Sequence, residues 1–215
     1  MTAPFRVAVL LSGRGSNLGT ILDACASGAV PARVVQVISN RPQAGGLALA
    51  AAAGVPTVVV DHRQFADRAG FENALDEQLA TAPADLLVLA GFMRVLTAAF
   101  VERHRGRLIN IHPSLLPDFP GLDTHARALL AGVAAHGASV HFVTADVDGG
   151  PVIAQIRVPV RTGDTPETLA ARVLVGEHRL YPTVIGWCAQ GRVALAGDTV
   201  RLDGLPLAAP VQFNA

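Results

Sequence analysis

Two polar side chains, Asn110 and His112, interrupt the apolar run LINIHPSLLP. Because a β-strand alternates its faces with a period of two, both side chains are expected on one face of a strand. Pro113 cannot donate to a strand ladder and favours an extended residue before it, so the strand should end at His112. An imidazole can exchange a proton near neutral pH, and a carboxamide can donate to a developing oxyanion. The pair is a candidate for catalysis, and a structural histidine is the alternative.

A carboxylate is needed to orient such an imidazole, and Asp148 in the segment TADVDGGPV is the candidate. The two glycines after it permit unusual backbone angles, which indicates a turn. Taken alone, the DGG triplet is more typical of an ordinary turn than of a catalytic site. The sequence by itself leaves open whether Asp148 lies beside His112.

A glycine-rich loop, SGRGSN, follows the first predicted strand and opens the first predicted helix. It lacks the G-K-[ST] ending of a Walker loop, and Leu18 replaces the third glycine of a dinucleotide fingerprint. A glycine turn at a helix N-terminus presents free N–H groups to an anion. Ser16 and Asn17 add side-chain donors, so the loop favours a single phosphate over a pyrophosphate. A tight turn with a serine or asparagine cap is the alternative.

A third unusual feature is Glu177, a carboxylate on the apolar stripe of a long helix predicted within residues 163–191. The stripe recurs every three or four residues, as a buried helix face does, at Leu169, Val173, Glu177, Leu180 and Val184. The alternative is a glutamate at the edge of the stripe that reaches solvent. A D-x-x-E signal from Asp164 to Glu167, with a nearby proline, predicts the start of this helix.

The elements that must position these residues alternate in the first half of the chain. Continuous apolar strands separated by helices predict a doubly wound α/β domain, a mostly parallel sheet with helices on both faces. The predicted strands are FRVAVLLS, VVQVIS, TVVVD, LLVLAG and LINIH, and one predicted helix is FADRAGFENALDEQLA. After Pro117 the pattern changes to the strands SVHFV and PVIAQIRVPV and the hairpin VALAGDTVRLDG, which predict an antiparallel C-terminal extension of the sheet. Ligands in open sheets of this kind bind at the carboxyl ends of strands, where His112 is expected.

Composition narrows the function classes. The chain has 215 residues, of which 51% are hydrophobic, so it can bury a substantial core in one large domain. Its 17 basic and 17 acidic residues balance and form no basic stripe, which argues against nucleic-acid and membrane-surface partners. The chain contains no lysine, which excludes Schiff-base and lysine-base chemistry.

Redox and targeting signals point to a cytoplasmic protein. Cys25 and Cys188 lie far apart, with neither metal spacing nor a disulfide framework, which favours reduced thiols. The N-terminal apolar run is too short for a signal peptide, and no apolar stretch reaches the ~20 residues that span a bilayer. We predict no metal site, because the histidines form no closed ligand set: His104, His112, His125, His136 and His141.

With these residues assembled, the sequence resembles the folate-dependent phosphoribosylglycinamide formyltransferase family over nearly its whole length. The motifs that carry the resemblance are SGRGSNL, ISN, LAGFMRVL, INIHPSLLP, HGASVHFV, DVDGGPVI and GEHRLYP. The combination of INIHPSLLP with a later DxDGGP is specific to folate formyltransferases and their hydrolase relatives. The GSN loop narrows it to the glycinamide ribonucleotide branch.

The resemblance implies a role for each singled-out position. Gly15, Ser16 and Asn17 match the loop that holds the substrate's ribose phosphate, and Glu177 matches an acidic residue that binds the same substrate. Arg68 matches a cofactor-binding arginine that reaches the folate. The backbone of a second segment matches the one that meets the pterin of 10-formyltetrahydrofolate: Met93, Arg94, Val95 and Leu96. The catalytic trio is Asn110, His112 and Asp148, and Asn110 also counts among the cofactor-binding positions.

The implied reaction transfers a formyl group from 10-formyltetrahydrofolate to the glycyl amine of 5'-phosphoribosylglycinamide in de novo purine biosynthesis. Asn110 and protonated His112 would stabilise a tetrahedral oxyanion, and His112 would act as general acid toward the leaving N10. Asp148 would hold the imidazole. The implied organisation is a single formyltransferase domain over residues 1–215, with a phosphate-binding half at 1–112 and a folate and catalytic half at 113–215. Both partners are small molecules, neither nucleic acid nor membrane is expected, and a homodimer is left open.

Two departures from the family pattern and four competing functions accompany the resemblance. Asp118 and Asp123 stand in LLPDFPGLDTHA where relatives often carry lysine or histidine, which leaves affinity for the folate tail open.

Formyltetrahydrofolate hydrolase and methionyl-tRNA formyltransferase share the folate motifs, but each carries a further domain for which we expect no room here. A non-catalytic phosphometabolite-binding module and a nicotinamide oxidoreductase are the third and fourth competing functions. For the oxidoreductase, the sequence lacks the third glycine and an acidic end to the second strand.

Overall fold

The structure is a computed structural model that describes residues 4–215. Two compact units divide the chain, the first ending at Ile109 and the second running over Asn110–Ala215. The boundary falls inside one strand, three residues before the boundary of the two halves predicted from the sequence.

The first unit is built on parallel strands. β1 pairs with β2 on one side and with β4 on the other, and β2 pairs with β3, so the order is β4-β1-β2-β3. Their bounds are β1 Phe5–Leu11, β2 Ala32–Ser39, β3 Thr57–Val59 and β4 Leu86–Leu89. All of β4 and the last five residues of β1 are buried, because helices cover strands of this kind on both faces.

Helices connect these strands in the predicted order. They are α1 Ser16–Ala26, α2 Gly45–Ala52, a short 3-10 helix His62–Gln64, α3 Arg68–Thr81 and α4 Ala98–Arg103. The prediction that a helix begins near Phe65 is wrong. Asp67 has an extended backbone, and its side chain accepts from the N–H of Gly70 at 2.8 Å, so α3 begins at Arg68.

The second unit mixes strand directions. β5, Leu108–His112, begins in the first unit and ends in the second, and it neighbours β6 in the strand order. β6, Ala135–Phe142, pairs antiparallel with β7, Val152–Pro159, and the last strand, β11 (Val211–Asn214), pairs parallel with β7. The predicted antiparallel pair around the TADVDGG turn is therefore present.

Two helices and a small sheet complete the second unit. α5 covers Thr124–Leu130 and α6 covers Pro166–Ala189, and the antiparallel sheet β10-β9-β8 consists of β8 Val193–Ala196, β9 Thr199–Leu202 and β10 Leu205–Pro206. The prediction that Asp164 caps α6 is wrong. Thr165 is the N-cap and forms a reciprocal capping box with Thr168, while Asp164 accepts from Arg172.

The predicted fold class, a mostly parallel sheet with helices and an antiparallel C-terminal part, is confirmed. Within each unit the polar loops of interest follow strand ends, since Ser12 comes directly after β1 and His112 is the last residue of β5. No helix in the described part of the chain combines the length and apolarity needed to cross a bilayer.

Candidate active site

The second unit brings His112 and Asp148 together. His112 is 6% exposed, and its Nδ1 atom lies 3.2 Å from Oδ2 of Asp148. The imidazole stands at the carboxyl end of β5, where Pro113 stops the strand, and the carboxylate stands in the turn between β6 and β7. The same Oδ2 accepts from the N–H of Gly121 at 2.8 Å. The side chain of Asp148 is 11% exposed, and a carboxylate held this way fixes the ring orientation of its histidine partner.

The turn that carries Asp148 is strained in a way the sequence did not indicate. Asp148 itself has a left-handed backbone with φ of 53°, while neither glycine after it has a positive φ. Gly150 is needed for space, because a Cβ there would lie 1.8 Å from the carbonyl oxygen of Phe142. A non-glycine residue in this region costs energy and persists where surrounding contacts hold it, as at many functional sites.

Asn110 and a second histidine, His141, form the other half of the site. Nδ1 of His141 lies 2.9 Å from the carbonyl oxygen of Phe142, so that nitrogen is the donor. Burial lowers the pKa of His141, which keeps the ring neutral and leaves Nε2 as an acceptor. Nε2 lies 3.2 Å from Nδ2 of Asn110, so the amide group of Asn110 donates to it. This contact fixes which way the carboxamide of Asn110 points and leaves its second N–H for another acceptor.

The remaining ring nitrogen of His112 faces a loop. Nε2 of His112 lies 3.0 Å from the carbonyl oxygen of Phe119, a residue with φ of 52°. Both ring nitrogens of His112 thus face oxygen acceptors, an arrangement that a doubly protonated ring satisfies with two N–H donors. Asp118 and Asp123 are exposed residues of the same loop, and Asp123 is also left-handed with φ of 56°.

Two further histidines lie close to His112. The rings of His125 and His136 meet edge to face with centroids 5.1 Å apart, and His136 is 1% exposed. Burial lowers the pKa of His136 to about 4, with smaller contributions from His125 and His112. Burial also lowers the pKa of His125, with a smaller contribution from His112. Both rings are therefore neutral at neutral pH.

Glu177 lies on α6 in the second unit. It is 8% exposed, and the other members of its stripe, Leu169, Val173, Leu180 and Val184, are buried as predicted. The carboxylate also contributes to raising the pKa of the fully buried Tyr181, after burial and Cys188. It is therefore a buried carboxylate of the helix face and not a solvent-reaching one.

The glycine loop belongs to the first unit. Gly15 is the N-cap of α1 with a left-handed φ of 80° and no side-chain cap, so the serine or asparagine cap is not what holds the turn. Ser16 and Asn17 are the first two helical residues, and Ser16 is exposed while Asn17 is 8% exposed. The first N–H groups of a helix have no partner inside it, which suits an anion.

The predicted folate segment also belongs to the first unit. Met93 and Val95 are 58% and 49% exposed, Arg94 is half-buried, and Leu96 is buried. These residues form neither helix nor strand. The N–H of Met93 donates to Oγ of Ser12 at 2.7 Å, and the backbone groups of the three residues after it are open for hydrogen bonds to a ligand. Arg68 is the exposed first residue of α3.

Comparison with known proteins decides the family. The family model for formyl transferases matches residues 5–185. The phosphoribosylglycinamide formyltransferase of Escherichia coli is 47% identical over 92% of this chain and 93% of its own length. The trifunctional purine biosynthetic protein adenosine-3 of Bos taurus is 47% identical over 92% of this chain, which corresponds to 19% of that protein. The solved phosphoribosylglycinamide formyltransferase of Coxiella burnetii superposes with a TM-score of 0.95 at 47% identity, covering 98% of this chain and 100% of that one.

The chain belongs to the formyl transferase family. Its resemblance to the phosphoribosylglycinamide formyltransferases is thereby confirmed, and the protein is an enzyme of the transferase class. The residues that match the family model include β1 to β7 and most of α6.

Sequence reasoning missed two partners in this candidate site. His141 was not singled out, although a histidine inside the apolar strand β6 is the same kind of signal that marked Asn110 on β5. The Phe119 carbonyl oxygen has no sequence signal, because any residue would provide one. Within residues 4–215, no group of three or more His, Cys, Asp or Glu side chains could hold a metal ion.

Proposed function

We propose that this enzyme transfers the formyl group of 10-formyltetrahydrofolate to the glycyl amine of 5'-phosphoribosylglycinamide, a step of de novo purine biosynthesis. The observation that carries the proposal is the contact of the buried His112 with Asp148 at 3.2 Å. His112 stands two residues from the oriented carboxamide of Asn110 on the same strand. 10-Formyltetrahydrofolate supplies the formyl carbon that the amine attacks.

His112 has the proton-transfer role. Its Nδ1–H donates to Asp148, so Nε2–H is the atom directed at the reacting groups once the Phe119 carbonyl no longer accepts from it. The protonated ring stabilises the oxyanion that develops as the amine attacks, and then donates a proton to the leaving nitrogen N10 as the bond from the formyl carbon to N10 breaks. The neutral ring takes up the proton that the attacking nitrogen loses, which leaves a neutral formamide and returns His112 to its protonated form. A positioned acid of this kind contributes about 10²–10⁴ in rate.

Asn110 stabilises the same oxyanion as a neutral donor. One N–H of its amide donates to Nε2 of His141, and the other is left for the substrate oxygen. Because the amide is already oriented, it needs no rearrangement when the charge develops, which is the basis of oxyanion-hole stabilisation.

The glycine loop and Glu177 are assigned to the ribonucleotide. Gly15, Ser16 and Asn17 offer N–H groups of the first turn of α1 to its phosphate. Glu177 is assigned as an acceptor for polar groups of the same substrate. This assignment follows the family resemblance, and Glu177 lies on the buried face of α6 with 8% exposure.

The open segment of residues 93–96 is assigned to the folate. None of the hydrogen bonds within residues 4–215 involves the backbone of Arg94, Val95 or Leu96, so these groups can pair with the edge of a heterocycle. Arg68 is assigned to the acidic end of the same molecule, because a guanidinium pairs well with carboxylates. A cytoplasmic location and a homodimer stay predictions.

The test is a mixing experiment with the purified protein. We would add 10-formyltetrahydrofolate with and without 5'-phosphoribosylglycinamide and follow release of tetrahydrofolate by absorbance. The proposal expects release that depends on the ribonucleotide, together with a formylated product detectable by mass spectrometry.

Each remaining outcome contradicts the proposal. Release without the ribonucleotide indicates hydrolysis of the formyl group. Ligand-dependent thermal stabilisation with no release in either mixture indicates a binding module.

A further inference from the structure

The first unit contains a buried polar network that the proposed chemistry does not use. Ser12 is 4% exposed, Asn40 is fully buried and Glu72 is 2% exposed. Burying polar groups costs free energy unless their partners are well placed, so three of them around one short segment call for an explanation. All three lie near the ends of the open segment 93–96.

The beginning of the segment is attached to Ser12. The N–H of Met93 donates to Oγ of Ser12 at 2.7 Å, and the N–H of Ser12 donates to the carbonyl oxygen of Gly91 at 3.0 Å. Oγ of Ser12 donates in turn to Oδ1 of Asn40 at 2.5 Å, which fixes the direction of its lone pairs. Asn40 therefore holds the hydroxyl in the orientation that accepts from Met93.

The end of the segment is attached to Glu72. Oε1 of this α3 residue accepts from the N–H of Thr97 at 2.6 Å, and Oε2 accepts from the hydroxyl of Thr97. Both carboxylate oxygens are thus used on one residue, Thr97, which is also the N-cap of α4. A bidentate contact of this kind fixes both the position and the rotation of the backbone at Thr97.

Apolar contacts at the same two points reinforce the attachment. Phe92 and Leu96 are buried, and the ring of Phe92 stacks on that of Phe71, the neighbour of Glu72, with centroids 6.4 Å apart. Between them Met93 and Val95 face solvent. The segment is therefore held at both ends while its middle carries no internal hydrogen bond.

We propose that Ser12 and Glu72 are positioning residues for the folate: they hold the backbone of residues 93–96 in the shape that pairs with its heterocycle. The inference rests on the proposed function, since it takes the ligand of this segment from there. An extended loop with free N–H and C=O groups would otherwise sample many conformations, and ordering it on binding would weaken affinity. Because the two buried attachments order the segment when the protein folds, binding of the ligand does not have to order it.

The test uses variants on one helix. Glu72→Ala removes both contacts to Thr97, whereas Glu72→Gln keeps an acceptor for the N–H and offers a donor to the hydroxyl. Asp76→Ala is the matched control, because Asp76 lies one turn along α3 and its carboxylate contacts Arg103 and His104, away from the segment. Ser12→Ala tests the other attachment.

The expected result is a larger change in the KM for 10-formyltetrahydrofolate than in the KM for the ribonucleotide. Glu72→Ala and Ser12→Ala should each raise the KM for 10-formyltetrahydrofolate about tenfold, with the KM for the ribonucleotide changing less. Glu72→Gln should recover most of the effect, and Asp76→Ala should lower the Tm without a comparable change in the folate KM. Amide hydrogen exchange at Met93 and Thr97 should become faster in the two alanine variants.

Three results would overturn the inference. One is an unchanged folate KM in folded Glu72→Ala and Ser12→Ala; the second is an equal rise in both KM values; the third is an equal effect of Asp76→Ala. Failure of the proposed function gives a different pattern, because wild-type protein would then show no release of tetrahydrofolate that depends on the ribonucleotide. In that case the exchange measurement still decides whether the two residues hold the segment, and unchanged exchange would contradict it.

Discussion

The carboxylate of Asp148 contacts the imidazole of His112 at 3.2 Å from a left-handed backbone position, inside a turn that only glycine can complete. The pairing of β6 with β7 brings this turn to the end of β5. A long-range antiparallel contact therefore determines which carboxylate lies beside a histidine that the local sequence had already marked.

Asp148→Asn should lower kcat about 10²-fold or more while the protein stays folded. The amide has the same shape but no charge to stabilise a protonated His112, and it can present a donor where an acceptor is needed. Steady-state kinetics with both substrates measure the effect. Asp146→Asn is the control, since Asp146 is an exposed acid of the same turn. Equal activity of the two variants would count against the assignment of Asp148.

His141 should matter through Asn110. His141→Leu fills the space but removes the acceptor for Nδ2 of Asn110, so the carboxamide can turn away and kcat should fall about tenfold. His141→Gln offers an oxygen acceptor and should recover part of the loss. Measuring kcat for both, with urea unfolding as a check on stability, tests this. If the two variants behave alike, His141 acts by packing alone.

The local sequence determined some of these features better than others. Apolar runs and their punctuating glycines were enough to predict β1 to β5 and their helices, because continuous hydrophobicity is a local property. The starts of α3 and α6 were predicted wrongly, since neighbouring polar residues such as Asp164 and Thr165 compete for the cap and packing decides between them. Asn110 and His112 followed from a period of two. The contact of His112 with Asp148 could not be predicted in this way, because it depends on the pairing of strands that lie far apart in the sequence.

The free energy of unfolding should rise with pH between about 4 and 6.5. Burial lowers the pKa of His136 from its ordinary 6.5 to about 4, so in this window the unfolded chain binds a proton that the folded chain does not. That interval corresponds to roughly 3 kcal/mol at most. His136→Leu should reduce the slope in urea unfolding measured across this range, while above pH 7 the pH dependence of the two proteins should be the same. An unchanged slope in the variant would show that other groups control acid stability.

The two cysteines should differ in reactivity. Cys188 is buried, and burial raises the pKa of its thiol to about 12, while Cys25 is half-buried with a smaller rise. The thiolate is the reactive form, so iodoacetamide at pH 8 should label Cys25 first and leave Cys188 unmodified in the native protein. Peptide mass spectrometry with and without urea measures this. Rapid native labelling of Cys188 would contradict its burial.

Gly15→Ala should weaken ribonucleotide binding and lower stability by about 1–2 kcal/mol. The position has φ of 80°, and an added Cβ would lie 2.6 Å from Cα of Gly46. Gly13→Ala is the control, because nothing lies within 4 Å of a Cβ there. The KM for the ribonucleotide and the unfolding free energy of both variants test the prediction. Similar behaviour of the two would mean that the loop tolerates a side chain at Gly15.

The close approach of Gly15 to α2 also limits how this loop could be redesigned. A Cβ at Gly46 would meet Leu11 at 2.5 Å and Cα of Gly15 at 3.3 Å, so the two glycines must stay small together and neither can compensate for a change in the other. The backbone path of the loop is thus constrained by both α1 and α2. An engineer who wanted the loop to accept a sulfonate or a carboxylate in place of the proposed phosphate would have to change the exposed side chains at Arg14 and Ser16 and leave the turn itself untouched.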